Sequence, residues 1–203
     1  MKAAIILLHG RGGSAEDILG LREELGFPDA TYLAPEAAGG TWYPYSFLAP
    51  IERNEPRLSA SLAKVGDTVD GALRQGIPRE RIVIAGFSQG ACLASEFVAR
   101  HAARYGGLIA FTGGLIGPPG TEFLYPGNLV GTPAFLGAGD PDPHVPWQRV
   151  AESATVLANL GAEVTLKRYP GIPHTIAREE LDDARKLIAR ALGLGNPVPA
   201  TAR

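Results

Sequence analysis

Six short runs rich in aliphatic and β-branched residues alternate along this chain with longer amphipathic runs, and no other feature restricts its fold as much. Strands separated by helices build parallel sheet, because a parallel neighbour is reached only through a long crossover. The strand-like runs are 3–8 (AAIILL), 31–34 (TYLA), 81–86 (RIVIAG), 107–112 (GLIAFT), 133–138 (PAFLGA) and 163–169 (EVTLKRY). Each is apolar enough to predict burial on both faces. Helices are predicted near 14–25, 58–75, 89–104, 147–160 and 175–192. Ser14 with Asp17 resembles a capping box, and Gly26 and Gly161 stand where helix-terminating glycines belong. The expectation is an α/β chain with a compact six-stranded, mainly parallel sheet covered by helices on both faces.

The 203 residues suit one domain, 1–203, with 194–203 read as a frayed tail. A 45% hydrophobic and 20% charged composition allows a packed core, and a net charge of -2 offers no electrostatic footprint for nucleic acid or an anionic membrane. Small neutral substrates fit that balance. The lone cysteine, Cys92, excludes an intrachain disulfide framework and a Cys-rich zinc site, which suggests a reducing cytoplasm. Met1-Lys2 before AAIILL imitates a signal peptide, but the apolar run is short, lacks a cleavage site and leads straight into HGRGG, so it reads as a buried strand. No run approaches the roughly 18 apolar residues of a membrane span. Two irregular stretches, 35–56 and 113–132, follow strands directly, where the loops of open α/β sheets build binding sites.

Chemistry concentrates at Gly86-Phe87-Ser88-Gln89-Gly90, a G-x-S-x-G between a β-branched run and a helical one. A serine on so sharp a strand-to-helix turn needs small residues two before and two after it, and the helix N-terminus behind it favours an oxyanion. The bland alternative is a helix-capping serine in a glycine turn. Its hydroxyl would need a base. Of the four histidines, His174 sits in a Pro/Gly-bounded loop (YPGIPHTI) just before the final helix, in the order Ser, acid, His that this architecture uses. His144, two residues from the expected acid, reads as loop surface without independent reach to Ser88. The orienting acid comes from GDPDPHVP, and Asp142 is preferred over Asp140, which can serve as a turn residue. Two backbone amides are expected to receive an oxyanion: that of Gln89, and that of Arg11 in the His9–Gly13 loop. A phosphate-binding reading of that loop fails on spacing. It lacks the Gly-Lys-Ser/Thr ending, and a G-x-G-x-x-G counted from Gly10 reaches Ala15 instead of glycine.

With LLHGRGG, GFSQG, GDPDPHVP and PGIPHT in this order, the chain resembles the carboxylesterase/phospholipase branch of α/β-hydrolases, which includes acyl-protein thioesterases. The resemblance spans nearly the whole chain. It implies an α/β-hydrolase fold without a large cap domain, a Ser88–Asp142–His174 triad, and an oxyanion hole from the amides of Arg11 and Gln89. Trp42, in GGTWYPY, matches an aromatic near the acyl pocket, but Pro44 stands where the family has an acid. The resemblance also implies a leading antiparallel hairpin, which is expected to be missing or cut back because the sequence starts directly at the first parallel strand.

The function expected is a serine carboxylesterase that cleaves small to medium esters through an acyl-enzyme on Ser88, with no metal or cofactor. Trp42, Leu115, Ile116 and Trp147 are expected to wall the substrate pocket. The expected partner is a small-molecule ester, with no nucleic acid and no integral membrane association, in a cytoplasmic monomer or homodimer. A thioesterase or lysophospholipase with the same triad remains an alternative, and from another class so does a non-catalytic ligand-binding protein on this fold.

Overall fold

The structure is a computed structural model that describes residues 2–194, so the tail expected to fray lies, apart from Leu194, outside the described residues. All six expected strands form: β1 (Ala4–Leu8), β2 (Thr31–Leu33), β3 (Ile82–Phe87), β4 (Gly107–Phe111), β5 (Pro133–Asp140) and β6 (Glu163–Pro170). They make one sheet in the order β2-β1-β3-β4-β5-β6. Every pairing in it is parallel.

The helices are α1 (Ala15–Leu19), α2 (Leu21–Leu25), α3 (Ile51–Asn54), α4 (Arg57–Arg74), α5 (Gln89–Arg100), α6 (Trp147–Asn159) and α7 (Arg178–Leu192). The Ser14–Asp17 capping box opens α1. The helix expected over 14–25 is interrupted at Gly20, whose N–H turns back to the Asp17 carbonyl, and Gly26 ends α2 at φ 73°. Short α3 lies inside the first irregular stretch and has no clear periodicity in sequence. Among the described residues no helix stands between β4 and β5, so no large cap covers the carboxyl end of the sheet.

Period-two alternation divides the strands between two cores. Ala4, Ile6 and Leu8 of β1, with Ile82 and Ile84 of β3, pack under α4, α5 and α6; Ile5, Leu7, Val83 and Ala85 face the other way, onto Ile18, Leu25, Leu181 and Ile188. Full burial of each such aliphatic side chain contributes about 1.5–3 kcal/mol. On α4 the buried positions Leu58, Leu62, Val65, Val69 and Ala72 repeat at helical spacing, whereas α5 is buried from Gln89 through Ala99 because it crosses the middle of the sheet. Burial on both faces fails at the two edges. β2 is half-buried throughout, and β6 exposes Leu166, Lys167 and Arg168, charges that discourage pairing with a further strand.

From β1 the chain passes first to β2 and then back across to β3 on the other side. The carboxyl ends of β1 and β3 therefore flank a topological switch point, the place where an open α/β sheet leaves a crevice.

Candidate active site

At the end of β3 the chain reverses sharply at Ser88, with φ 53° and ψ -116°, and enters α5 at Gln89. A left-handed φ on a residue with a side chain costs of order 1–3 kcal/mol and persists only where its surroundings enforce it. Here the enforcement is steric and hydrogen-bonded. A Cβ on Gly86 would strike the backbone of Gly90, and one on Gly90 would strike the Leu8 carbonyl of β1. The Ser88 N–H is held by the Phe111 carbonyl at 3.0 Å, and its own carbonyl receives the Cys92 N–H at 3.0 Å to start the helix.

Two loops meet this serine. After β6, Gly171 (φ 76°) donates its N–H to the Asp140 carbonyl at 2.8 Å, which folds 171–177 back over the end of β5. Gly139 admits the loop because a side chain there would collide with the Ile172 carbonyl. His174 is thereby aimed at Ser88, with its Nε2 2.9 Å from the serine Oγ and its Nδ1 2.7 Å from Asp142 Oδ2. With Nδ1–H donated to the carboxylate, Nε2 is the acceptor for the hydroxyl proton. The Asp142 side chain is fully buried, and its Oδ1 accepts the N–H groups of His144 and Val145, each at 2.8 Å. Burial pushes this carboxyl up, but those two amides and His174 together outweigh it and hold the group below the usual carboxylate range. Asp140, at the end of β5, is ion-paired with Arg168 of β6.

The third element is the His9–Gly13 loop after β1. Buried His9 accepts the Ala37 N–H on Nε2 at 3.1 Å and donates from Nδ1 to the Gly10 carbonyl at 2.8 Å, so it is a neutral strut. Gly12, at φ 78°, donates to Gly40 O at 2.7 Å. Among the described residues the backbone N–H groups of Arg11 and Gln89 have no acceptor in the protein; that of Gln89 opens α5, where no intrahelical partner exists. The side chains of these two residues have work that sequence reasoning missed. The Arg11 guanidinium donates to the carbonyls of Tyr43, Pro44 and Tyr45 at 3.0, 3.0 and 2.7 Å. The Gln89 amide accepts the Trp42 N–H at 3.0 Å and donates to Tyr43 O at 2.8 Å. Their only sequence signal was a long polar side chain in an otherwise glycine-rich or apolar context.

Around Ser88 lies a cavity of about 500 Å³ walled by Tyr43, Pro44, Tyr45, Phe47, Phe87, Cys92 and Val145, with Arg11, His144 and His174 contributing polar surface. The pocket walls expected from sequence are elsewhere. Trp42 is buried under the first loop, its indole N–H donating to the His9 carbonyl at 2.8 Å. Leu115 and Ile116 turn inward and fill core, their amides bonded to Ser153 Oγ (2.8 Å) and Glu96 Oε2 (3.0 Å). Trp147 begins α6 and lies against the Arg168 guanidinium, 5.6 Å from its ring centre. Trp42, Leu115 and Ile116 thus found more burial in the core than the cavity offers, while half-buried Trp147 packs at the margin of that core. His144 differs too. It is exposed, as expected of loop surface, yet it lines the cavity and sets its ring edge-on to His174 at 4.8 Å and 70°.

Burial lifts the thiol of Cys92 on the cavity wall to about 12, which makes it inert. Among the described residues no cluster of three or more His, Cys, Asp or Glu could hold a metal ion. No helix among them is long and apolar enough to cross a membrane.

Comparison with known proteins identifies the family. The profile of the phospholipase/carboxylesterase family matches residues 1–192. The chain is similar to acyl-protein thioesterase 1 of Saccharomyces cerevisiae, 29% identical over a gapped alignment of 218 positions that covers 94% of this chain and 93% of the relative. It is also similar to acyl-protein thioesterase 1 of Kluyveromyces lactis, 26% identical over 95% of this chain and 93% of the relative. Among solved structures, a phospholipase/carboxylesterase from Dyadobacter fermentans is 48% identical, superposes with a TM-score of 0.89, and is matched over 92% of this chain and 89% of its own. The chain therefore belongs to the phospholipase/carboxylesterase family of α/β-hydrolases and is a carboxylic ester hydrolase.

Proposed function

We propose that this protein is a serine carboxylesterase acting on small to medium carboxylic esters, with Ser88 as nucleophile, His174 as general base and acid, and Asp142 as the group that orients His174. The observation that carries the reading is the unbroken chain from buried Asp142 through both ring nitrogens of His174 to Ser88 Oγ, at 2.7 and 2.9 Å. His174 Nε2 takes the hydroxyl proton as Oγ attacks the ester carbonyl, and the negative charge that develops is received by the amides of Arg11 and Gln89. As the tetrahedral intermediate collapses, His174 returns the proton to the departing alcohol and leaves an acyl-enzyme. Water, deprotonated by the same histidine, releases the acid and restores Ser88. The mostly apolar cavity, open at the carboxyl end of the sheet, favours short acyl chains, and a cytoplasmic setting accords with the single buried thiol.

The names of the yeast relatives favour a second reading, in which the bond cleaved is a thioester. The same residues would serve it, since only the leaving group differs.

A fluorophosphonate should label Ser88 alone, and Ser88→Ala should abolish both labelling and hydrolysis of p-nitrophenyl esters. Activity that survives Ser88→Ala would place the nucleophile elsewhere. Matched oxygen and thio esters then separate the two readings by kcat/KM.

A further inference from the structure

One buried carboxyl is not used by the chemistry above. Glu180 lies in the first turn of α7, six residues after His174, with its side chain wholly inaccessible to solvent. Its Oε2 accepts the Ala177 N–H at 3.3 Å, closing the capping box of α7, and the backbone of Thr112 lies beside the carboxyl. Oε1 has no hydrogen-bond partner, and it sits only 2.7 Å from where a Cβ on Gly137 would be. Thr112 follows Phe111, whose carbonyl holds the Ser88 N–H, and the Thr112 N–H is bonded to Gly137 O at 2.7 Å. The carboxyl therefore touches the loop that carries His174, the strand end that anchors Ser88, and the strand that leads to Asp142. Among the described residues no cation pairs with it.

We propose that Glu180 is a positioning residue: as a neutral carboxylic acid it ties the His174 loop to the ends of β4 and β5 and so sets the approach of the imidazole to Ser88. This rests on the reading of Ser88 and His174 as nucleophile and base. Taking a lone carboxylate out of water without a counter-charge is strongly disfavoured, so such a group stays protonated. Burial lifts it to about 8, against the lowering effect of the Ala177 and Thr112 amides. Above that pH the charge has no donor at Oε1, which lies against Phe135 and Gly137, and solvation of the charge must loosen the packing of the α7 N-terminus, and with it the His174 loop, against β5. Thr112, Phe135 and Gly137 bring no titratable group from β4 and β5. From β6, Tyr169 faces Glu180, but its hydroxyl donates to Asp183 at 3.1 Å, and burial, with these acidic neighbours, keeps it protonated above its ordinary value. Glu179, beside it on α7, is exposed.

The experiment compares wild type, Glu180→Gln and Glu180→Ala for p-nitrophenyl butyrate hydrolysis between about pH 6 and about pH 10, together with fluorophosphonate labelling. Wild-type kcat should fall as the pH passes about 8. Glu180→Ala should lose about 10- to 100-fold in kcat with little change in KM, because a base displaced by a fraction of an ångström binds substrate normally but reacts slowly. Glu180→Gln, the uncharged isostere, should restore most of that loss and abolish the alkaline fall. An alkaline fall that Glu180→Gln retains, or a folded Glu180→Ala with wild-type kcat, overturns the positioning role alone. If Glu180→Ala does not fold, the Glu180→Gln profile decides. A wild-type protein that takes no label at Ser88 overturns the catalytic reading and this inference together.

Discussion

Asp140 and Asp142 stand two residues apart on the same loop and have separate partners: Arg168 across the sheet edge for one, His174 for the other. Asp142→Asn should lower kcat by roughly 10³- to 10⁴-fold by favouring the wrong tautomer of His174, whereas Asp140→Asn should stay within about threefold, both read by steady-state hydrolysis. The lowered titration of Asp142 also has a sign for stability. The unfolded state gains the proton first as pH falls, so this contribution is complete above the ordinary carboxylate range and is lost as pH drops through the folded value. Thermal scans of Asp142→Asn should therefore show a shallower acid limb than wild type. Glu180 runs the other way. Its folded value of about 8 lies above the unfolded one, so stability is present at acid pH and declines as pH rises toward about 8. Glu180→Gln should accordingly gain melting temperature relative to wild type as pH is raised, and a gap that stays constant with pH would contradict the buried, uncharged state.

At the scale of elements, the β3–Ser88–α5 turn depends on how closely α5 approaches β1. Gly90→Ala should cost more than about 3 kcal/mol, because the collision is with the Leu8 backbone, which cannot move without opening the sheet. Gly76→Ala, at φ 79° but with open space around the added carbon, should cost only about 1–2 kcal/mol. Urea unfolding of the pair separates steric collision from backbone strain. The strands were legible because aliphatic runs bounded by glycine and proline have few alternatives, and the Gly86 and Gly90 pattern around Ser88 was legible for the same steric reason. The break at Gly20, the short α3 and the exposed edge β6 were not. Position at a sheet edge is a property of strand order, and the charges Glu163, Lys167 and Arg168 in EVTLKRY mark such an edge only once that order is known.

Across the whole molecule, the absence of a helical cap among the described residues leaves the cavity mouth open to solvent. Hydrolysis of p-nitrophenyl butyrate should exceed that of the palmitate, and rates should show no jump when a substrate passes its critical micelle concentration; such a jump would reveal a lid. The sequence by itself determined the α/β architecture and the placing of Ser88, Asp142 and His174, since glycine spacing, β-branched runs and residue order are local and one-dimensional. Only the tertiary structure decided the pocket. Trp42, Leu115, Ile116 and Trp147 are as apolar as Tyr43, Phe47 and Phe87, and which of them faces the cavity depends on how two irregular loops fold against the core. The guanidinium of Arg11 and the strut at His9 belong to the same class. Each acts on backbone groups distant in sequence, and no spacing rule records those partners.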